Sequence, residues 1–424
     1  MVRRPFFYGW IIVGVAFVGM VLIYGVRHSF SIFFPSILGE FGWARSSTAI
    51  MLSLNIFIYG LLAPIAGSLG DRWRPRRVTM MGIIVLGLAT AGCAFARELW
   101  HFYLLFGVLM PMGMAFCGWP ILGPSLANWF THRRGLAIAL GQMGSGLSFT
   151  YGFFVEFIIS EVGWRYAYIV IAAILVAILL PIYFLFFHYR PQSKGLEAYG
   201  VSKTPAVPET KETAVLAEGS LSHDWTLGSA VRTYKLWLIA LAYMLFWGIG
   251  CYLALAHQVK FAEDVGYSST FAASIFALFG IFMTVGMFFS SISDWVGRET
   301  TVFLAVVLVI GAMIALVSVR DTSAPWLLYI YAICFGCGAG LFSPAVLAGT
   351  ADIFHGKHFG AIAGLLQTGM GTGGAIGPWL GGFIYDISGS YLNAFIFCMV
   401  CFGLAFLAFF LAAPRKAAKI RKTS

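Results

Sequence analysis

The chain has 424 residues, of which 60% are hydrophobic and 10% charged, with a formal net charge of +10 and a mean hydropathy of +0.87. A soluble domain is about 45–50% apolar with roughly a quarter of its residues charged, so this composition excludes a soluble enzyme on an anchor and points to a polytopic membrane protein. A positive balance can serve nucleic acid or an anionic surface. Its distribution here assigns it to loops facing anionic lipid, and no nucleic-acid partner is expected.

The first apolar run, Phe6 to Phe34, is longer than the about 20 residues that cross a bilayer. Its core is too long for a secretory signal, and no small-residue cleavage site follows. Arg27 and His28 sit inside it, well before the polar end at Glu40. An arginine at the centre of a membrane helix costs about 2.5–3.5 kcal/mol on insertion scales and needs a partner, a wet cavity or a route to the headgroups. The functional reading is a solute pathway. The alternative is an arginine that snorkels to the outer headgroups.

Apolar runs recur with charged punctuation and predict twelve spans. The first six lie at 7–36, 48–69, 78–96, 100–130, 134–160 and 165–188. The last six lie at 233–262, 268–293, 300–319, 325–353, 358–385 and 390–413. Between the sets runs the one long polar segment, Tyr189 to Ala230, with three prolines and four glutamates, which reads as a flexible linker. Residues 223–233 within and just beyond it are expected to form a short amphipathic helix. The expected organisation is therefore an N-terminal half (1–188), a cytoplasmic linker (189–232) and a C-terminal half with a basic tail (233–424).

Orientation follows from lysine and arginine placement. With both termini inside, 21 of these residues fall on the cytoplasmic side and five, Arg45, Arg97, Arg165, Lys260 and Arg320, on the outer side. All seven cysteines lie in apolar runs. The C-x-x-C pairs Cys334/Cys337 and Cys398/Cys401 lack the polar, loop-borne setting of a metal or redox site, so they are read as packing residues. No P-loop, metal cluster or nucleophile–base signature is present. No cofactor and no metal are expected, and the chain is not read as an enzyme.

The two halves repeat each other. Asp71 matches Asp294, Trp119-Pro120 matches Ser343-Pro344, Asn128-Trp129-Phe130 matches Asp352-Ile353-Phe354, and Gln142 to Gly146 matches Gln367 to Gly371, at offsets of 223 to 225. A parallel duplication of six spans implies a site between the halves near the midplane.

The turn after the second span, Gly67-Ser-Leu-Gly-Asp71-Arg72-Trp-Arg74-Pro-Arg76-Arg77, resembles the loop signature of the major facilitator superfamily, with Arg74 where the family has its second glycine. In that setting Asp71, at a helix N-terminus or paired with an arginine such as Arg72, would hold the halves closed on the cytoplasmic side. Asp294 stands in a weaker second copy. The resemblance implies an all-α membrane protein of twelve helices in two pseudo-symmetric six-helix halves.

Three stretches narrow it: Tyr8-Gly9-Trp10, Trp129-Phe130-Thr-His-Arg-Arg-Gly-Leu-Ala137, and Tyr24-Gly25-Val-Arg27-His28-Ser29-Phe30. They resemble the monocarboxylate transporters and oxalate:formate antiporters. In the former a tyrosine and a lysine one turn later face the solute path, and Tyr24 and His28 fall on those positions. His257 and Phe342 match path-lining positions of bacterial relatives. The family's eighth-span arginine and the acid one turn before it fall on Met287 and Met283, so the usual anion clamp and proton site are replaced.

The resulting expectation is a secondary transporter of a small organic anion, a monocarboxylate, working by alternating access in a cell membrane, in a bacterium the inner one. Substrate contacts are expected from Tyr24, Arg27, His28, Trp119, Tyr252, His257, Met287 and Phe342. His28, Glu156 and His257 are candidates for coupling a proton. A larger amphipathic or weakly charged solute is the alternative, and a non-transporting sensor of the same fold is another.

Overall fold

The computed structural model describes residues 7–72, 75–131, 134–200, 225–354 and 359–412. Among them the backbone is helical apart from connections and one isolated β-bridge, Phe130 to Tyr199. Ten helical runs are long and apolar enough to cross a membrane. One of them, Leu136–Phe186, has 51 residues, which is enough for two crossings. Its backbone leaves helical geometry at Gly163 (φ 80°, ψ 159°), where the first crossing ends and the second begins. The glycine-rich helix Phe359–Ser388 completes twelve.

The crossings are numbered α1 (Gly9–Phe41), α2 (Arg45–Arg72), α3 (Pro75–Cys93), α4 (Leu99–Trp129), α5 (134–162), α6 (164–186), α7 (Tyr234–Val265), α8 (Ser269–Phe289), α9 (Arg298–Val317), α10 (Trp326–Ile353), α11 (Phe359–Ser388) and α12 (Leu392–Ala412). They follow the twelve sequence-derived spans closely. Their outward faces carry large apolar side chains such as Met81, Leu88, Phe157 and Phe288, which suits hydrocarbon rather than water. The helices are broken where the sequence lacks the means to continue. In α4 the backbone opens at Gly118 (φ −98°, ψ −150°) ahead of Pro120. The Cys117 carbonyl there accepts a 3.1 Å hydrogen bond from the Tyr183 hydroxyl of α6, which keeps a backbone acceptor satisfied in a setting without water.

Packing repeats the internal duplication. Helix α1 packs on α5 as α7 packs on α11. Likewise α2 and α3 pack on α4 as α8 and α9 pack on α10, and α3 on α6 as α9 on α12. Adding six to each number converts one set into the other, so two six-helix halves share one arrangement. The halves meet along α2 with α11, along α5 with α8, and where the last turns of α1 touch α7. Contact there is close. A Cβ on Gly280 of α8 would stand 2.4 Å from the Phe149 Cβ and 2.8 Å from the Gly146 carbonyl of α5, an approach open only to small residues.

Two of the sequence motifs meet at one end of the bundle. Tyr8 lies against Trp129 (ring centroids 5.6 Å apart) and Trp10 against Phe130 (5.0 Å). Tyr199 donates its amide to the Trp129 carbonyl at 2.9 Å, and Lys194 lies 3.9 Å over the Tyr8 ring. Residues 189–200, read from sequence as the start of a flexible linker, are thus folded onto this end. A short helix, Leu227–Val231, occupies the stretch where one was expected. At the same end Arg298 pairs with Asp352 at 3.1 Å and donates to the Ser293 hydroxyl at 2.6 Å.

Gly163 combines a positive φ with an extended ψ, a region essentially confined to glycine. Gly163→Ala should cost about 1–3 kcal/mol. Gly39→Ala, at a helical position with open space around it, should be neutral or slightly stabilising. Thermal unfolding in detergent distinguishes them, and equal melting temperatures would contradict the strain.

Candidate solute-binding site

Arg27 lies near the middle of the 33-residue α1 and is 1% exposed. It does not reach the ends of the bundle. Its Nε donates to the Asn55 Oδ1 of α2 at 2.7 Å, and Asn55 spends its amide on the Phe106 carbonyl of α4, also at 2.7 Å. The amide orientation is therefore fixed by the network. The guanidinium lies 4.4 Å over the Tyr59 ring and 5.4 Å from that of Tyr24, an arrangement that favours a cation. Those two phenols share a hydrogen bond of 2.7 Å. The Tyr252 hydroxyl of α7 lies beside the guanidinium, but among the described residues no group stands in hydrogen-bonding geometry to the buried terminal nitrogens Nη1 and Nη2.

His28 points to α5. Its Nδ1 is 2.7 Å from the Ser148 hydroxyl, which itself donates to the Ser145 carbonyl at 2.6 Å. The hydroxyl proton is thus committed, so Nδ1–H donates to Ser148, and Nε2 carries the lone pair of the neutral ring. The imidazole stacks on Phe149 with ring centroids 3.7 Å apart. Ser148 and Phe149 fall in a short 3₁₀ turn of α5, which sets them against α1.

Arg27 and His28 border a small cavity of about 10 Å³, room for about one water. Phe30, Ser31, Leu52, Phe149, Tyr252, Leu255 and Phe276 complete its wall. Helices from both halves contribute, so the cavity lies on the seam between them.

Of the residues selected from sequence, Tyr24, Arg27, His28 and Tyr252 come together here. The others stand elsewhere. Phe342 is fully buried and stacked on Phe246 at 3.6 Å, within the C-terminal half. Trp119 is half-buried behind the Gly118 break. Met283 and Met287 lie on α8 away from the cavity wall. Glu156 is buried on α5 beside Ser269, the first residue of α8. His257 is fully buried, with Nε2 2.8 Å from the Pro378 carbonyl and Nδ1 3.1 Å from the Tyr391 hydroxyl. A carbonyl only accepts, so Nε2 carries the proton and Nδ1 accepts from Tyr391. The side chains of Asp71, Arg72 and Asp294 lie outside the described residues.

Tyr391 belongs to a second polar assembly that sequence reading missed. Arg45, at the start of α2, pairs with Asp264 at the end of α7 (2.5 Å), donates to the Tyr391 hydroxyl (2.8 Å) and stacks over Tyr385 (3.6 Å). Lys260 also pairs with Asp264, at 2.6 Å. Asp386 of α11 accepts from the backbone amides of Arg45 and Ser46 at 3.1 and 2.9 Å. A carboxylate from one half thus caps a helix of the other. From sequence Arg45 was one loop charge among five. The signal was its placement at the same side as Asp264 and Asp386 once the topology is drawn. Ser148 and Phe149 carried no such signal, and Asn55 and Tyr59 read only as packing or helix-to-helix bonds.

A family model described as Major Facilitator Superfamily matches residues 16–348 and 322–424. The chain is 26% identical to monocarboxylate transporter 13 of Rattus norvegicus over 401 residues, covering 92% of this chain and 85% of that one. It is 27% identical to monocarboxylate transporter 11 of Mus musculus over 403 residues, covering 92% and 84%. Among solved structures it is similar to a D-xylose–proton symporter (TM-score 0.70, 16% identity, 96% of this chain and 97% of that one). It is also similar to a bacterial homologue of the human lysosomal transporter Spinster in an inward-facing, occupied conformation (TM-score 0.69, 16% identity, 97% of each).

Removing one partner of a buried charged hydrogen bond leaves the other unsatisfied, whereas removing both is closer to neutral. Asn55→Leu alone should therefore lower the melting temperature more than Arg27→Met and Asn55→Leu together. Additive losses in this double-mutant cycle would show that the bond contributes nothing.

Proposed function

The chain belongs to the Major Facilitator Superfamily, a superfamily of transporters and not of enzymes, and on that premise we propose that it is a secondary active transporter of a small organic anion, a monocarboxylate with an apolar tail. One observation carries this reading: a buried, obligately charged guanidinium whose Nη1 and Nη2 have no hydrogen-bonding partner among the described residues. Nε is held by Asn55, so the end of the group that remains is the one suited to a carboxylate fork. A carboxylate there would satisfy two buried donors and offset the cost of the cation. His28 Nε2 would add a donor when protonated. Phe149, Phe276, Leu52 and Leu255 supply an apolar wall for the rest of the solute. The similarity to monocarboxylate transporters over 92% of the chain supports the same class.

The cavity holds about one water, less than a carboxylate occupies. Loading therefore requires the halves to part, which is what alternating access supplies. The Arg45–Asp264–Asp386 assembly is then the gate closed in this conformation, and the charge distribution of the loops supports an orientation with this gate at the outer face and both termini and the 189–232 linker in the cytoplasm. Proton symport or exchange against another anion would supply the driving force, with His28, Glu156 and His257 as the titratable groups. The membrane is the cell membrane, the inner one in a bacterium. A larger or weakly charged solute is favoured by one feature alone: α8 carries no charged residue.

Two measurements test this. Truncating one member of a buried charge pair costs about 2–5 kcal/mol in binding, roughly 30-fold or more, so Arg27→Gln should weaken carboxylate binding at least that much in calorimetry on purified protein. Adding Met287→Arg should not restore it, because position 287 is about 16 Å along the helix from Phe276. Affinity within twofold of wild type for Arg27→Gln removes Arg27 from the site. Separately, Arg45→Gln should raise the accessibility of a cysteine placed at Ser31 to a thiol reagent applied from the Arg45 end. Unchanged accessibility would contradict the gate.

A further inference from the structure

Gln258 of α7 is 4% exposed, and among the described residues neither its amide nitrogen nor its oxygen has a hydrogen-bonding partner. An amide brings two donors and two acceptor sites, and each buried group left unmade costs about 1–3 kcal/mol. An apolar residue at this position would avoid that cost, so the amide calls for an explanation.

Its position supplies one. Tyr252 and Leu255 both line the Arg27 cavity, and Gln258 follows Leu255 three residues later, about 60° from it around α7. It stands one turn farther toward the Arg45 end. Side chains in a helix lean toward its N-terminus, which directs the Gln258 amide back toward Leu255 and the cavity. The last part of α1 packs on α7 at this level, where the Ser31 hydroxyl bonds to the Leu255 carbonyl and Phe34 packs edge-on against His257.

We propose that Gln258 is a second contact for the transported solute and sets its selectivity: with the carboxylate on Arg27, Gln258 hydrogen-bonds a hydroxyl or oxo group at the other end of the same molecule. Ser31 stands level with Leu255, Arg27 lies four residues before Ser31, and Gln258 lies three after Leu255. The two levels are therefore about 10 Å apart along the helices, which sets the second polar group well away from the carboxylate rather than adjacent to it. The solute class is a carboxylic acid with a remote hydroxyl or oxo group. The inference rests on the anion reading above and adds to it the discrimination among acids. A site that presents unpaired hydrogen-bonding groups rejects an analogue lacking the matching group far more strongly than an apolar wall rejects an extra methylene.

Calorimetry with pentanoate, 4-oxopentanoate and 2-hydroxypentanoate on the purified full chain tests it. Wild type should bind 4-oxopentanoate at least about tenfold more tightly than the other two. Gln258→Leu and the unbranched Gln258→Met should abolish that preference while keeping pentanoate affinity within about threefold. Both should also raise the melting temperature of the ligand-free protein, because an unsatisfied amide is gone. Equal affinities in wild type, or a preference that survives both substitutions, overturns the assignment of Gln258. If the acids bind equally and Arg27→Gln abolishes all binding, the anion reading stands and only this inference fails. If wild type binds none of the three, both fail together.

Discussion

A guanidinium buried at mid-membrane is the constraint to which the central part of this molecule answers. Moving such a charge out of water is costly after every relaxation, and an arginine cannot shed its proton to escape. The protein meets the need incompletely and from several directions. Asn55 takes one nitrogen, and the faces of Tyr59 and Tyr24 lie beneath the group. All three partners belong to α1 and α2, so these two helices must hold a fixed register. Asn55 is itself locked by the Phe106 carbonyl, which extends the requirement to α4. What remains open is the pair of terminal nitrogens on the seam between the halves. The fold builds most of a cation's surroundings and leaves out the part that a negatively charged solute would supply.

The seam is also where the halves are fastened, and the two kinds of contact differ. Around α5 and α8 contact depends on shape, with backbone at Gly280 and Gly146 approaching closely. At the Arg45 end it depends on charge, with Asp264 shared by two cations and Asp386 capping a helix of the opposite half. Partly exposed ion pairs of this kind are individually weak. Packing by small residues has no alternative partner once parted, whereas exposed charges exchange each other for water. A charged fastening over a packed pivot is therefore suited to opening at one end while the middle stays in contact.

Much of the architecture was legible in the sequence because the bilayer leaves few choices: apolar length gives the spans and repeated short motifs give the two halves. The site was legible only in part. Arg27 and His28 announced themselves as polar residues in an apolar run, and Tyr24 was singled out by the monocarboxylate transporter resemblance. Tyr252, also selected, shares the cavity wall with them. His257 and Phe342, equally plausible by position, are occupied by Pro378 with Tyr391 and by Phe246. A one-dimensional reading gives the helix and the level of a residue but not its face, and one step along a helix turns a side chain by about 100°. Ser148 and Phe149 were hidden for a different reason: a local 3₁₀ turn aims them at His28, and nothing in their spacing reveals it.

The replacement of the α8 cation expected from the monocarboxylate transporter resemblance now has a geometric reading. Phe276 is the α8 residue on the cavity wall, and Met287 lies eleven positions farther along, about 16 Å in an ideal helix. An arginine at 287 and Arg27 would therefore serve different levels of the seam and are not exchangeable parts of one clamp. Arg27 stands near the middle of α1, three residues before the stretch Phe30–Phe41 that meets α7. A solute held there would lie between the halves, beneath the charged fastening at the Arg45 end. Charge neutralised at that level favours closure directly, because the uncompensated guanidinium is what the closed seam must otherwise bury. On the proposed reading, the cation that would attract the solute and the element that would sense its presence are one residue, and the halves would respond to loading without a separate acid on α8.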